Sequence, residues 1–187
     1  METRDSASPD PLVPLDATIR LAKAADADHI VDIETQSFAH GGERFDARKV
    51  RRLLTEPRYV AFVAEMDGRA IAWCVGLNWN RGQVPWGRVY GLAVHPDFRR
   101  YRLGGRLLNH LIGVLRERGA RRIFLEVRSD NAGAIALYAR FGFVPCDDLH
   151  HYYGHGVHGR RMVLVAEDRA GNNRSDESDP TKTDKPV

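Results

Sequence analysis

The chain has 187 residues, of which 43% are hydrophobic and 28% charged, with a net charge of +3. That is one domain's length with enough apolar material for its own core, which excludes a disordered chain and a disulfide-stapled miniprotein. Two cysteines, a polar proline-bearing N-terminus and no run of about 18 apolar residues read as a soluble, cytoplasmic protein without a leader or membrane span.

Residues 1–16 and 167–187 lack apolar periodicity and are predicted to be disordered tails around a single domain at 17–166. Alternation over 17–23 (ATIRLAK) predicts a strand, and 26–38 a helix with Ile30, Ile33 and Phe38 near one face. A short basic helix follows at 46–54 (DARKVRRLL). Segments 59–66 and 70–79 predict a hairpin turning at Asp67-Gly68, because that dipeptide accepts the positive φ angles of a tight turn. The run 88–94 (RVYGLAV) is apolar on both faces, which predicts a central strand ended by His95-Pro96. Leu103, Leu107, Leu108, Leu111, Ile112 and Leu115 make a helical stripe over 103–118, stopped at Gly119. A strand at 122–127 and a helix at 131–141, closed by Gly142, come next. Short strands at 143–146 and 162–165 flank a Gly/His/Tyr-rich connection. The fold class is α/β (α+β): one mixed sheet of about 6–7 strands flanked by about 4 helices.

Two places carry chemistry. Between the strand at 88–94 and the helix from Leu103 lie Arg99, Arg100, Arg102 and Arg106, with Gly104 and Gly105. A helix start offers unpaired N–H groups and partial positive charge, and glycine lets a ligand approach the main chain, so this loop suits a diphosphate. The alternative is an ordinary basic helix start. The cluster is local, which favours a phosphorylated small molecule over a nucleic-acid track. Further on, Glu126 sits in an otherwise apolar strand, either as a general base with its pKa raised by partial burial or in a salt bridge to Arg128 or another arginine. Tyr138, in the next helix, is a candidate proton donor or a packing residue.

The segments VYGLAVHPDFRRYRLGGRLLNHLI and LEVRSDNAGAIALYARFGF resemble the GNAT N-acetyltransferase superfamily, and within it the bacterial ribosomal-protein alanine N-acetyltransferases. The opening TIRLAKAADADHIVDIETQSF and the later HYY resemble the same group, so the likeness runs over about 18–165. It implies a centrally split sheet and an enzyme that moves acetyl from acetyl-CoA, as acyl-donor co-substrate, directly onto an amine, in first place a protein or peptide N-terminal α-amine. Leu92, Ala93 and Val94 would meet the pantetheine arm, Arg99, Arg100, Tyr101, Arg102, Leu103, Gly104 and Gly105 would cradle the pyrophosphate, and Asn131 would bind the arm. Glu126 and Tyr138 match the catalytic base and acid; Phe38, Arg44, Phe45, Tyr152 and Tyr153 would border the acceptor. The stretch bordering the acceptor also includes Glu43 and Asp46. No metal, nucleic acid or membrane is implied, and the chain would be a monomer or homodimer. A small-molecule amine acceptor and a non-catalytic acyl-CoA sensor remain the competing readings.

Two departures stand out. Arg102 occupies the place of the family loop's first glycine, which is tolerable provided its φ is negative. His150, His151, His155 and His158 replace the acidic residues that relatives carry after the paired tyrosines; a mobile connection is expected there rather than a metal site.

Overall fold

The computed structural model describes residues 15–38, 44–79 and 85–166. The predicted tails lie outside the described residues, apart from Leu15 and Asp16, and so does Glu43. In chain order the elements are β1 (Thr18–Leu21), α1 (Ala27–Ser37), α2 (Ala47–Thr55), β2 (Tyr59–Met66), β3 (Arg69–Trp79), β4 (Trp86–Val94), α3 (Leu103–Glu117), β5 (Arg122–Arg128), α4 (Ala132–Arg140), β6 (Val144–Gly154) and β7 (Val157–Val165). Among the described residues no helix is long and apolar enough to cross a membrane.

The strands form one sheet in the order β1-β2-β3-β4-β5-β7-β6. Every neighbouring pair is antiparallel except β4 and β5. The β2–β3 turn has Asp67 at φ 50° and Gly68 at φ 76°, the paired positive angles that match the twist of a two-residue hairpin. Strands β2 and β3 alternate between two cores. Phe62, Ala64, Ala72 and Cys74 join the stripe Leu103, Leu107, Leu108, Leu111 and Leu115 of α3 on one face. On the other face Ala61, Val63, Trp73 and Val75 meet Ile30 and Ile33 of α1 and Val50 and Leu53 of α2. Burial on both faces explains the near-continuous apolar runs of these strands.

The feature that makes a site is the parallel pair. β4 and β5 are in register only over Trp86–Arg122 to Val89–Leu125. Beyond that point β5 stays paired with β7, from Glu126–Arg161 to Arg128–Gly159, and β4 stays paired with β3 as far as Val94–Ala72. The two strands therefore part in mid-sheet, leaving one side of each without its neighbour.

Strands β6 and β7 are much longer than the short strands expected at 143–146 and 162–165. They run to a tight end at Gly154 (φ 131°) and Gly156 (φ 77°), so the expected mobile connection is a β-hairpin. Its irregularity is local: the β6–β7 register shifts between Pro145 and Asp147 and again between Leu149 and Gly154. His151 has φ 54°, and its Nδ1 accepts the Gly156 N–H at 2.8 Å. Local hydrogen bonding of this kind lets a sequence rich in Gly and His hold strand geometry that composition does not suggest.

Candidate functional site

Two cavities flank the place where the strands part. The first, of about 160 Å³, is bounded by β4, β5, α4, the α1–α2 loop and the β6–β7 hairpin. It brings together Glu126, Tyr138, Asn131 and Leu92 with Phe38, Arg44, Phe45, Tyr152 and Tyr153. All five residues expected around the acceptor thus line one space with both expected catalytic residues. Gly91 makes room for this arrangement, because a Cβ there would fall 2.7 Å from Cε2 of Phe45 and the ring would have to shift.

The second cavity, of about 860 Å³, lies at the start of α3 and holds Val94, Arg99, Arg100, Arg102, Leu103, Gly104 and Gly105, with Arg106 and Arg140 beside them. Packing does not demand glycine at 104 or 105: a Cβ would meet its nearest neighbour at 3.6 Å and 3.7 Å, ordinary contact. What the glycines leave open is the main chain itself, at a helix N-terminus ringed by guanidiniums, and this fits a diphosphate. Arg106 is partly committed elsewhere, donating to the Ala17 carbonyl at 2.6 Å. Tyr101, partly buried, packs against the α3-side core. Ala93 is buried against the α1–α2 core, and the Val94 carbonyl accepts from Ser37 Oγ at 3.0 Å.

Arg102 departs from the condition set for it. Its φ is +59°, and Arg100 is at +74°, both in the left-handed region that favours glycine. Both angles fall in the turn that leads into α3, with Arg102 as its N-cap. Arg102→Gly is expected to raise stability by about 1 kcal/mol by relieving this strain. Urea denaturation of the two proteins checks it, with a rise in midpoint at unchanged slope.

The salt bridge left open for Glu126 is present, to two arginines other than Arg128. The carboxylate is almost fully buried, and both oxygens are taken: Oε2 by Arg88 (Nε 2.8 Å, Nη2 2.6 Å) and Oε1 by Arg161 (Nε 3.0 Å). Arg128, the partner considered first, pairs with Asp130 instead. Arg88 also donates to Tyr152 Oη at 3.0 Å. Burial, with Glu126 as a secondary influence, pushes the Tyr152 hydroxyl up to about 12. A carboxylate keeps two lone pairs per oxygen, so Glu126 can still accept a further proton-bearing group from the cavity.

Tyr138 projects from α4 into the same cavity, its ring 5.9 Å from Phe143. Burial pushes its hydroxyl above the ordinary phenol range, which keeps it a proton donor at neutral pH. Asn131 caps α4, its Oδ1 accepting from Ala134 N at 3.1 Å, which leaves its amide NH₂ as the group available to a ligand. Burial pushes the Cys74 thiol up to about 12, so it is an inert core residue.

Among the cavity residues not anticipated as part of the site, Glu34 carries a titratable carboxyl. Glu34, on the last turns of α1, is buried, its Oε1 accepting from Trp73 Nε1 at 2.8 Å and its Oε2 from the Phe45 N–H at 2.9 Å. Burial raises its pKa to about 7, against the opposing pull of those two hydrogen bonds. The sequence did hold a signal: Glu34 is at i+4 from Ile30 and i+7 from Ala27, on the apolar stripe of α1 where a carboxylate has no reason to be. Because the folded state favours its protonated form, its stabilising contribution is complete below the ordinary pKa of 4.5 and is lost as pH rises through about 7. The span corresponds to roughly 3 kcal/mol. Glu34→Gln is expected to remove this slope, read from urea denaturation at pH 5 and pH 8 (roughly the ends of the window).

Comparison with known proteins identifies the family. The acetyltransferase (GNAT) family model matches residues 27–143. The [ribosomal protein bS18]-alanine N-acetyltransferase of Escherichia coli K12 is 36% identical over 96 residues, 51% of this chain; the chain spans 62% of that relative's length. An N-alpha-acetyltransferase of Sulfurisphaera tokodaii is 32% identical over 147 residues, covering 74% of this chain and 86% of the relative. The crystal structure of the E. coli ribosomal-protein-S18-alanine N-acetyltransferase superposes with a TM-score of 0.71 at 27% identity, covering 83% of this chain and 99% of that one. With a family model matching well over half of its length and a relative 32% identical over most of both chains, the chain belongs to the acetyltransferase (GNAT) family.

Proposed function

We propose that the chain is an acetyl-CoA-dependent N-acetyltransferase acting on the α-amine of a protein or peptide N-terminus. The observation that carries this reading is the joint placement of Glu126 and Tyr138 on one cavity, beside the length of β4 that β5 has left. Strand β4 and helix α4 also border the arginine-lined cavity, so a diphosphate held there has its arm directed along β4 toward the two residues. The names of the relatives point the same way, one to an alanine of ribosomal protein bS18 and one to N-alpha acetylation. Two free thiols, Cys74 and Cys146, suit a reducing cytoplasm.

In this reading Arg99, Arg100, Arg102 and the main chain of 103–105 bind the diphosphate, Leu92, Ala93 and Val94 offer main-chain groups to the arm, and the Asn131 amide steadies it. The amine loses a proton toward Glu126, through water, and its nitrogen forms a bond to the thioester carbonyl carbon. Main-chain N–H groups near Ala93 and Val94 stabilise the oxyanion. The C–S bond then breaks, and the Tyr138 hydroxyl protonates the leaving sulfur. An N-terminal amine suits this chemistry because its pKa lies well below that of lysine. Glu34 is a second candidate for the proton, favoured by a pKa of about 7 on the wall of the same cavity.

The test is mass spectrometry of a peptide library incubated with the protein and acetyl-CoA. The proposal requires a gain of one acetyl group at α-amines. Acetylation confined to lysine side chains or to small amines overturns the acceptor, and no product at all overturns the activity.

A further inference from the structure

The walls of the acceptor cavity differ in charge, and the difference lies outside the catalytic machinery. On the hairpin side the cations beside the cavity are matched: Arg128 pairs with Asp130 at 2.6 Å and Arg160 with Asp148 at 3.2 Å. On the α2 side they are in excess. Residues 46–58 hold Arg48, Lys49, Arg51, Arg52 and Arg58 against Asp46 and Glu56. Both acids are spent locally, since Asp46 Oδ1 accepts the Lys49 N–H at 2.7 Å as the cap of α2 and Glu56 pairs with Arg52 and Arg58. Arg51 reaches Asp28 at 3.7 Å. Arg44, Arg48 and Lys49 make no ion pair among the described residues.

These charges are joined to the cavity by a strip of aromatic rings. Phe45 and Tyr90, both on the cavity wall, stack at 5.6 Å with their planes 9° apart. Tyr59 continues the strip 5.7 Å from Tyr90. Lys49 Nζ stands 5.1 Å above the Tyr90 ring, and Arg58 lies 5.0 Å from that of Tyr59. An extended peptide advances about 3.3 Å per residue. A chain whose first residue presents its amine to Glu126 therefore lays its next few residues on these rings, within reach of Arg44 and Lys49.

We infer that the surface formed by Phe45, Tyr90 and Tyr59 with Arg44, Arg48 and Lys49 selects acceptors whose second to fourth residues carry aspartate or glutamate. The inference rests on the acetyltransferase reading and adds the substrate class to it. The rings supply a flat bed for the peptide backbone and the cations supply the discrimination. A basic acceptor segment meets net repulsion there, since the five cations of residues 46–58 outnumber Asp46 and Glu56. The strip is continuous with the acceptor cavity, so a polypeptide threaded from that cavity fits it better than a nucleic acid bound independently.

The test uses the full chain and three peptides with the same N-terminal alanine and the same distal half, carrying Asp-Glu-Asp, Gly-Ser-Gly or Lys-Arg-Lys at the following three positions. The expected order of kcat/KM is acidic, neutral, basic, with about fivefold between steps at low ionic strength. The spread should collapse near ~0.5 M salt, where the Debye length is only a few ångströms. Lys49→Glu should narrow or reverse the order while acetyl-CoA affinity by calorimetry stays the same; Arg48→Glu, on the exposed face of α2, is the second variant should the first not fold. Equal rates for the three peptides, or a preference for the basic one, overturn the inference while leaving the acetyltransferase reading in place. Acetyl-CoA binding with no acetylation of any peptide overturns both. A change on Lys49→Glu seen only in binding of a uridine oligonucleotide assigns the face to nucleic acid and overturns the inference alone.

Discussion

Replacing Glu126 by alanine is expected to lower the stability of the protein by about 3–5 kcal/mol, in addition to its effect on turnover. The carboxylate is the shared counter-charge of two arginines, and Arg88, Arg161 and Glu126 side chains are all 4–5% exposed. Its removal leaves two buried guanidiniums without their shared carboxylate. Asp147, 3.8 Å from Arg161 and half exposed, offers only weak relief. Glu126→Gln keeps the shape and is expected at the lower end, about 3 kcal/mol. Urea denaturation measures the loss, and a change below about 0.5 kcal/mol would deny the buried triad its structural role. The same variant divides the two candidate bases. With folding secured by low temperature, Glu126→Gln is expected to reduce kcat by about 10²-fold across the pH range if Glu126 takes the proton. A near-normal kcat, with the pH dependence abolished by Glu34→Gln instead, transfers that role to Glu34.

Tyr138→Phe has the second large effect, and it should be almost purely kinetic. The Phe ring keeps the edge contact with Phe143, and the hydroxyl has no hydrogen-bond partner among the described residues to lose. The expected outcome is a fall in kcat of about 10²-fold with KM for acetyl-CoA and the unfolding midpoint nearly unchanged. A thiol leaving group should then matter more: the variant's rate should fall further with poorer leaving groups than the parent's does. An unchanged kcat would make Tyr138 a packing residue of the cavity wall.

How much of this could be read beforehand depended on whether the cause was local. The β2–β3 hairpin follows from Asp67-Gly68, and α3 from its leucine stripe, because turn chemistry and helical period act over a few residues. The length of β6 and β7 was not legible. The residues of β6 are mostly exposed, and the histidines, tyrosines and glycines near the hairpin end have no strand pattern, so pairing with β5 and with each other had to supply it. For the site, the residue types were legible through the likeness to a family, and the cavity collects them. The identity of the partners of Glu126 was not. Arg88 and Arg161 reach Glu126 across 38 and 35 residues, a partnership only the β4-β5-β7 arrangement creates. The left-handed φ of Arg102 was equally hidden, since nothing in the side chain announces it. Glu34 was visible in principle, as a charge on an apolar stripe.

The opening between β4 and β5 and the arginine-lined start of α3 together make one demand, that the chain hold coenzyme A by its diphosphate. Isothermal calorimetry of the full chain with acetyl-CoA and with coenzyme A tests this most directly. The account predicts saturable heat at one ligand per chain for both, weakened when Arg99 and Arg100 are replaced together by alanine. No heat from either ligand with folded protein, or binding indifferent to those arginines, would contradict it.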